Sequence, residues 1–463
     1  MRQLSPLDAV FVSLETPETP AHMGALSILD PSTWPEFCFE SLKEIVGSRL
    51  RLCPRFGWKL QEVPLGLDLP YWVEDERFDL DFHVRRVAVP SPGGLNEVAE
   101  LAGLLHSRPL DRTRALWEVW VIEGLKDGRV GMLLKTHHCL MDGVSGAGLA
   151  DLICDLQPEP AECPLLPTDA MERVGPVGSR REMARNGLRN AFARPGHLGR
   201  HLRNFGASAV DRLRAADTHA LPSSVPRAPF NGTPGSQRVL ACAKVAFERV
   251  KTLTKHFDVT INDLVLAITG GAVRRHLERQ GELPDRSLVA LVPMSTRSKG
   301  DKRVGNQITE CSVNWATDVE DPEERLYRIH ASAEQAKASA KSSGANLMRA
   351  CGEALPPGLF RLIYRGAMHV DVPLPGNAVV SNVRGASFPF YIAGAKMEAL
   401  YPMSVLAPTQ GLNITVMSYY GHFFFGITAD PDLVAEPWLL AEDLEHSLRD
   451  LEEAAERRLR RAG

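Results

Sequence analysis

The chain has 463 residues, 44% of them hydrophobic and 24% charged, with 53 Lys and Arg against 57 Asp and Glu for a formal net charge of -4. Such a length exceeds one hydrophobic core, so two large domains, or two and a linker, are expected, and the composition excludes a disordered, collagenous or simple coiled-coil chain. The near-neutral balance disfavours a nucleic-acid binder with a dominant basic field, and no window approaches the roughly 18 uninterrupted apolar residues of a membrane span.

In the first third, Phe39 to Leu52 spaces Leu42, Ile45, Val46 and Leu50 at helical intervals until Pro54 stops the segment. Strand-like runs at Trp58 to Val63 and Tyr71 to Val73 precede a second amphipathic helix, Leu95 to His106. The apolar segments Leu116 to Ile122 and Val130 to Thr136 flank Lys126-Asp127-Gly128, whose Asp-Gly step signals a hairpin. Gly143 to Leu156 then turns helical.

From about Pro158 to Pro229 the character changes. Met171 to Ala215 holds ten arginines, no lysine and three acidic residues, a linker composition with helix-compatible stretches between Arg181 and Arg214. An Arg-rich amphipathic element suits an anionic lipid surface, or else a solvated helix packed on its own protein. A second α/β region follows, with a strand at Val239 to Val245 and helices at Phe247 to Phe257 and Ile261 to Leu277. Gly270-Gly271 marks a close approach of another element to the second helix. Further strands are predicted at Leu288 to Pro293, Ile308 to Trp315, Ala378 to Val383, Ile414 to Tyr419 and Phe423 to Thr428, with helices at Pro322 to Ala340 and Pro437 to Arg461. The expected division is an N-terminal domain at 1–160, a linker at 161–229 and a C-terminal domain at 230–463.

The sharpest motif is His137-His138-Cys139-Leu140-Met141-Asp142-Gly143, between a predicted strand and a predicted helix. A strand end followed by a glycine turn fixes an imidazole at the rim of a sheet with its ring accessible, which is what a general base needs. The plain alternative is a polar pair at a strand end with Asp142 capping the next helix. A metal site is disfavoured because adjacent strand residues point to opposite faces, and a hydrolase at Ser145 because Gly143-Val144-Ser145-Gly146-Ala147 lacks the second glycine of a nucleophile elbow. The eight cysteines are scattered without a C-x-x-C pair, as expected of reduced structural thiols in a cytoplasmic protein.

H-H-x-x-x-D-G resembles the signature of the coenzyme A-dependent acyltransferase superfamily. Leu4-Ser5-Pro6-Leu7-Asp8, Ala21-His22-Met23-Gly24 and the block from Pro109 to Glu118 look like those of its bacterial wax ester synthase/acyl-CoA:diacylglycerol acyltransferase branch. Asn262-Asp263, Val292 to Arg297, Gly305-Asn306, Ser381-Asn382-Val383 and Gly411-Leu412-Asn413-Ile414 continue the resemblance in order.

The resemblance implies an α/β fold of two chloramphenicol-acetyltransferase-like domains joined by a linker, with a channel between them. It implies direct acyl transfer with no acyl-enzyme, His138 as the base, and His137 and Gly143 within the same motif. Asp142 is expected to be architectural, paired with Arg55 or Arg297. Asn262 is the expected oxyanion donor, with helix N-capping as its alternative role. Asp263, Ser381 and Asn382 are expected beside the substrate, although Arg384-Gly385-Ala386 departs from the Pro-Gly-Pro of many relatives. For Trp117, Phe11, His22 and Arg112, packing or surface roles are expected. The implied partners are long-chain acyl-CoA as co-substrate, with no resident cofactor or metal, and diacylglycerol or a long-chain alcohol at a membrane or lipid-droplet surface. Transfer to a diol or glycolipid, or a non-catalytic lipid-surface protein, are the alternatives.

Overall fold

The computed structural model describes residues 2–50, 52–140, 153–161, 174–175, 178–193, 225–295, 308–343, 355–367 and 376–462. In the first part lie β1 (Arg2–Gln3), α1 (Pro6–Leu14), β2 (His22–Asp30), α2 (Phe39–Leu50), β3 (Trp58–Gln61), β4 (Tyr71–Glu74), α3 (Leu80–His83), β5 (Val84–Ala88), α4 (Leu95–Ser107), β6 (Trp117–Glu123) and β7 (Val130–His137). The arginine-rich stretch contributes α5 (Arg180–Ala193). There follow β8 (Val239–Ala246), α6 (Phe247–Phe257), α7 (Ile261–Gln280), β9 (Val289–Ser295), β10 (Ile308–Asn314), α8 (Pro322–Ser343), α9 (Pro357–Ala367), β11 (Ala378–Arg384), β12 (Tyr391–Ile392), β13 (Ala395–Met403), β14 (Leu412–Tyr419), β15 (His422–Ala429) and α10 (Pro437–Ala462). Of the helix expected at Gly143 to Leu156 only residues 153–156 are described, and it has ended by Asp155, which forms a β-bridge with Tyr391.

Two six-stranded sheets carry the fold. One runs β12-β13-β2-β7-β6-β5 and the other β10-β9-β11-β14-β15-β8, with a small sheet β1-β4-β3 at the side. The β6–β7 hairpin turns where predicted, with Asp127 at φ 60° and Gly128 at φ 69°, the left-handed pair an Asp-Gly step supplies at low cost. Gly270 and Gly271 lie as expected under a crossing element, since a Cβ on Gly270 would stand 2.8 Å from the Trp315 carbonyl oxygen. Leu440, Leu444, Leu448 and Leu451 form a fully buried stripe along α10, which packs on α7.

Sheet membership does not follow chain order. β13 pairs antiparallel with β2, Leu400 opposite Ser27 and Tyr401 opposite Leu26, although it follows β11 of the other sheet. A partition at residues 160 and 230 therefore does not separate the sheets. Tyr419 of β14 stitches them: its hydroxyl accepts from the Phe390 N–H (2.8 Å) and donates to the Met397 carbonyl (2.9 Å). Arg49 reaches from α2 to both oxygens of Asp155 (2.8 and 2.7 Å), and Asp155 exchanges backbone bonds with Tyr391.

Candidate active site

The motif histidines stand at the end of β7, and each is held by an element that the sequence blocks build. Ser5 caps α1, its hydroxyl accepting from the Asp8 N–H at 3.1 Å with Pro6 in the first turn, so Leu4-Ser5-Pro6-Leu7-Asp8 is a helix start. That helix carries Phe11, whose ring stacks on His138 at 3.9 Å and 9°. The His138 N–H donates to the Ala21 carbonyl at 2.8 Å, which pins the residue to the strand starting at His22. The ring expected to be accessible is 9% exposed, because α1 lies across its face.

His137 takes another path. It is fully buried, and its Nδ1 accepts from the Cys139 N–H at 3.1 Å, which leaves Nε2 as the nitrogen that bears the proton. Nε2 lies 3.5 Å from Glu15 Oε2. Glu15 also accepts from the Ala21 N–H (3.2 Å) and meets Arg112 Nε at 3.3 Å. Burial pushes the Glu15 carboxyl up, but His137, Arg112 and the Ala21 N–H together hold it below the usual range, so it stands as a carboxylate. Glu15 was not among the residues the sequence singled out. Arg112, read there as packing or surface, links Glu15, the Val12 carbonyl (2.9 Å) and Glu62 (3.4 Å).

The thiol between these groups is inert. Burial, with Asp8 and Glu15 nearby, pushes Cys139 far above its ordinary value, so it carries no thiolate at neutral pH. His22 is buried and neutral, its Nε2 donating to the His106 carbonyl, because burial, His106 and Lys135 hold its pKa far down. Trp117 is core, as expected, and donates from Nε1 to the Phe56 carbonyl at 2.7 Å.

Arg55 is buried on the short helix Pro54–Gly57, whereas Asp142, Gly143 and Arg297 lie outside the described residues. Asn262 and Asp263 open α7 in the other half. Thr260, not Asn262, is the N-cap, because Thr260 and Asp263 form a reciprocal capping box. Asp263 Oδ2 accepts from the Thr260 N–H (3.0 Å), the Thr260 hydroxyl (2.8 Å) and His330 Nδ1 (2.8 Å). That frees Asn262 from the capping role and leaves it half-buried in the first turn. Ser381 and Asn382 are half-buried on β11, opposite Thr415 and Val416 of β14. None of these four is hydrogen-bonded to His137 among the described residues.

The family model of the wax ester synthase/diacylglycerol acyltransferase catalytic domain matches residues 4–265, and that of the WS/DGAT C-terminal domain matches residues 304–452. The chain belongs to the wax ester synthase/diacylglycerol acyltransferase family. It is thus an acyltransferase. A Mycobacterium tuberculosis protein named putative diacylglycerol O-acyltransferase is 36% identical over 98% of this chain and 91% of its own length. Another from that organism, named probable diacylglycerol O-acyltransferase, is 35% identical over 98% and 99%. The solved wax ester synthase/diacylglycerol acyltransferase of Marinobacter aquaeolei superposes with a TM-score of 0.70 at 28% identity, covering 98% of this chain and 100% of that one. The first condensation domain of the CDA synthetase shares the fold at a TM-score of 0.58, 15% identity and coverage of 98% and 96%. Two-domain α/β architecture of this acyltransferase type is therefore established. Among the described residues no helix is long and apolar enough to cross a membrane.

Proposed function

We propose that the protein transfers a long-chain acyl group from acyl-CoA to diacylglycerol, giving triacylglycerol, and to long-chain alcohols, giving wax esters. The observation that carries this reading is His138, fixed by Ala21 and Phe11 at the end of a sheet strand in a chain of this family. An alcohol of pKa about 15 to 16 attacks a thioester poorly unless its proton leaves as the C–O bond forms, and a positioned imidazole supplies typically ~10²- to 10⁴-fold. His138 takes that proton, the C–S bond breaks, and the proton passes to the departing CoA thiolate. Glu15 and His137 set the backbone from which His138 projects.

Asn262 serves as the donor to the oxyanion, a role an amide fits. Asp263 holds the helix start that presents it, and Ser381 and Asn382 border the channel between the domains. Asp142 is architectural, with Arg55 or Arg297 as its partner. Acyl-CoA is a co-substrate, and no resident cofactor or metal takes part. The protein works from the cytoplasm, at the inner membrane face or a lipid droplet.

The test is turnover with long-chain acyl-CoA and, separately, diacylglycerol, hexadecanol and water, read as release of CoA thiol. His138→Asn, which keeps a polar side chain against Phe11, should lose about 10²- to 10⁴-fold with its circular dichroism intact. A folded variant retaining more than about a tenth of wild-type turnover removes His138 as the base.

A further inference from the structure

Several of the exposed large apolar side chains meet at one place. Leu65 is 89% exposed, Leu362 69%, Ile363 52% and Leu359 45%, where the turn Pro64–Gly66 packs against α9. Leu359, Leu362 and Ile363 recur at i, i+3 and i+4, so they share one face of α9, while Phe360 is buried on the other. That face is turned outward. A monomeric protein rarely shows a contiguous apolar surface of this kind unless something covers it.

Leu65 adds an independent mark. Its φ is 57°, a left-handed conformation that a branched residue adopts only when its surroundings impose it. Beside it, a Cβ on Gly66 would lie 2.6 Å from the Gly358 amide nitrogen, so the turn and the helix touch backbone to backbone. Leu65 thus combines a strained turn conformation with a side chain in water.

The charge around the patch is basic. A groove of about 430 Å³ between the turn and α9 is also lined by Glu62, Arg180 and Arg361. Glu62 is paired with Arg112 and Arg361 at 3.4 and 3.6 Å, so among the described residues the unpaired positive charge beside the groove is that of Arg180 and the helix it begins. Arg180 begins α5, on which Arg181, Arg185 and Arg189 are exposed and outnumber the helix's one carboxylate, Glu182. Met183 anchors α5 into Val63 and Tyr71, and Asn190 donates to Asp68 at 2.7 Å. In the other direction α9 packs on α1, the helix whose Phe11 stacks on His138.

We propose that this patch is the docking surface for an anionic phospholipid layer, with Leu65, Leu359, Leu362 and Ile363 inserted and the α5 arginines on the lipid phosphates. The inference rests on the reading of the acceptor as a lipid alcohol, which then enters from the layer beside α1. An anionic layer is favoured over a second copy of the chain because a two-fold contact would set the arginines against their own images.

Vesicles of phosphatidylcholine with and without phosphatidylglycerol test it by co-sedimentation. The variant Leu65→Asn/Leu362→Asn/Ile363→Asn keeps a residue that accepts the left-handed turn, so its melting temperature should hold. Its partitioning onto the anionic vesicles should fall about tenfold or more, and wild-type binding should weaken as salt rises. Leu459→Asn, at a leucine 61% exposed on α10, should bind as wild type. Esterification of a short soluble alcohol without vesicles should be equal in the triple variant and the wild type. Absent esterification by both would overturn the enzymatic reading while vesicle binding still decides the docking surface. Equal vesicle binding by the triple variant, equal loss in Leu459→Asn, or a wild-type dimer that the triple variant dissociates would overturn the docking proposal.

Discussion

Adjacent histidines at the end of β7 diverge because one completes the strand and the other leaves it. His137 stays in register opposite His22 and turns into the buried carboxylate of Glu15, whereas His138 passes under Phe11. Behind them His22 and His106 meet edge to face at 4.5 Å, both buried. Burial holds His106 down to about 3 and His22 well below its ordinary 6.5, so both stay neutral where the unfolded chain is protonated. The unfolded state then binds more protons below pH 6.5, and folding stability falls as pH drops from 6.5 toward 3. The melting temperature should decline across that window, and His106→Asn should make the decline shallower. An unchanged slope in the variant would show that His106 does not carry this linkage.

At the scale of elements, hydroxyls and carboxylates at helix starts decide where segments begin. Ser5 fixes the start of α1, which lays Phe11 on His138, and the Thr260–Asp263 box fixes the start of α7, which carries Asn262. Tyr419 plays the corresponding part between sheets. Burial keeps its phenol protonated, so it both accepts from Phe390 and donates to Met397. Tyr419→Phe leaves a buried N–H and a buried carbonyl without that partner, at a cost of about 1–3 kcal/mol. Urea unfolding should show a lower midpoint with an unchanged slope. A midpoint equal to the wild type would mean that the two backbone groups find other partners.

For the whole molecule, the strand exchange makes the halves interdependent. β2 lies between β7 and β13, and β13 comes from beyond residue 390. A fragment ending at residue 235 lacks β12 and β13 and so exposes the β2 edge, with buried Leu26 and Leu29 losing the cover of Met397 and Tyr401. Such a fragment should aggregate or melt without a cooperative transition in circular dichroism, and should recover on co-expression with residues 236–463. A cooperative melt of the fragment alone would show that the first sheet closes without its borrowed strands.

Helical spacing made α2, α4, α7 and α10 legible in the sequence, and the Asp-Gly turn and strand patterns gave the β6–β7 hairpin, because periodicity and turn chemistry are local. The motif at residues 137–143 was legible for the same reason, as a run of chemically distinctive residues. Glu15 was not, since one acidic residue among many acquires meaning only when folding brings it 122 positions along the chain to His137. Nor was β13: no strand is expected from the sequence at Ala395–Met403, and the choice between two sheets is made by long-range pairing. α9 is likewise not expected from the sequence, and its pattern separates two faces without saying which is covered. Only the packing of α9 on the Gly66 turn, where Gly66 meets Gly358, and on α1 turned its leucines toward the solvent.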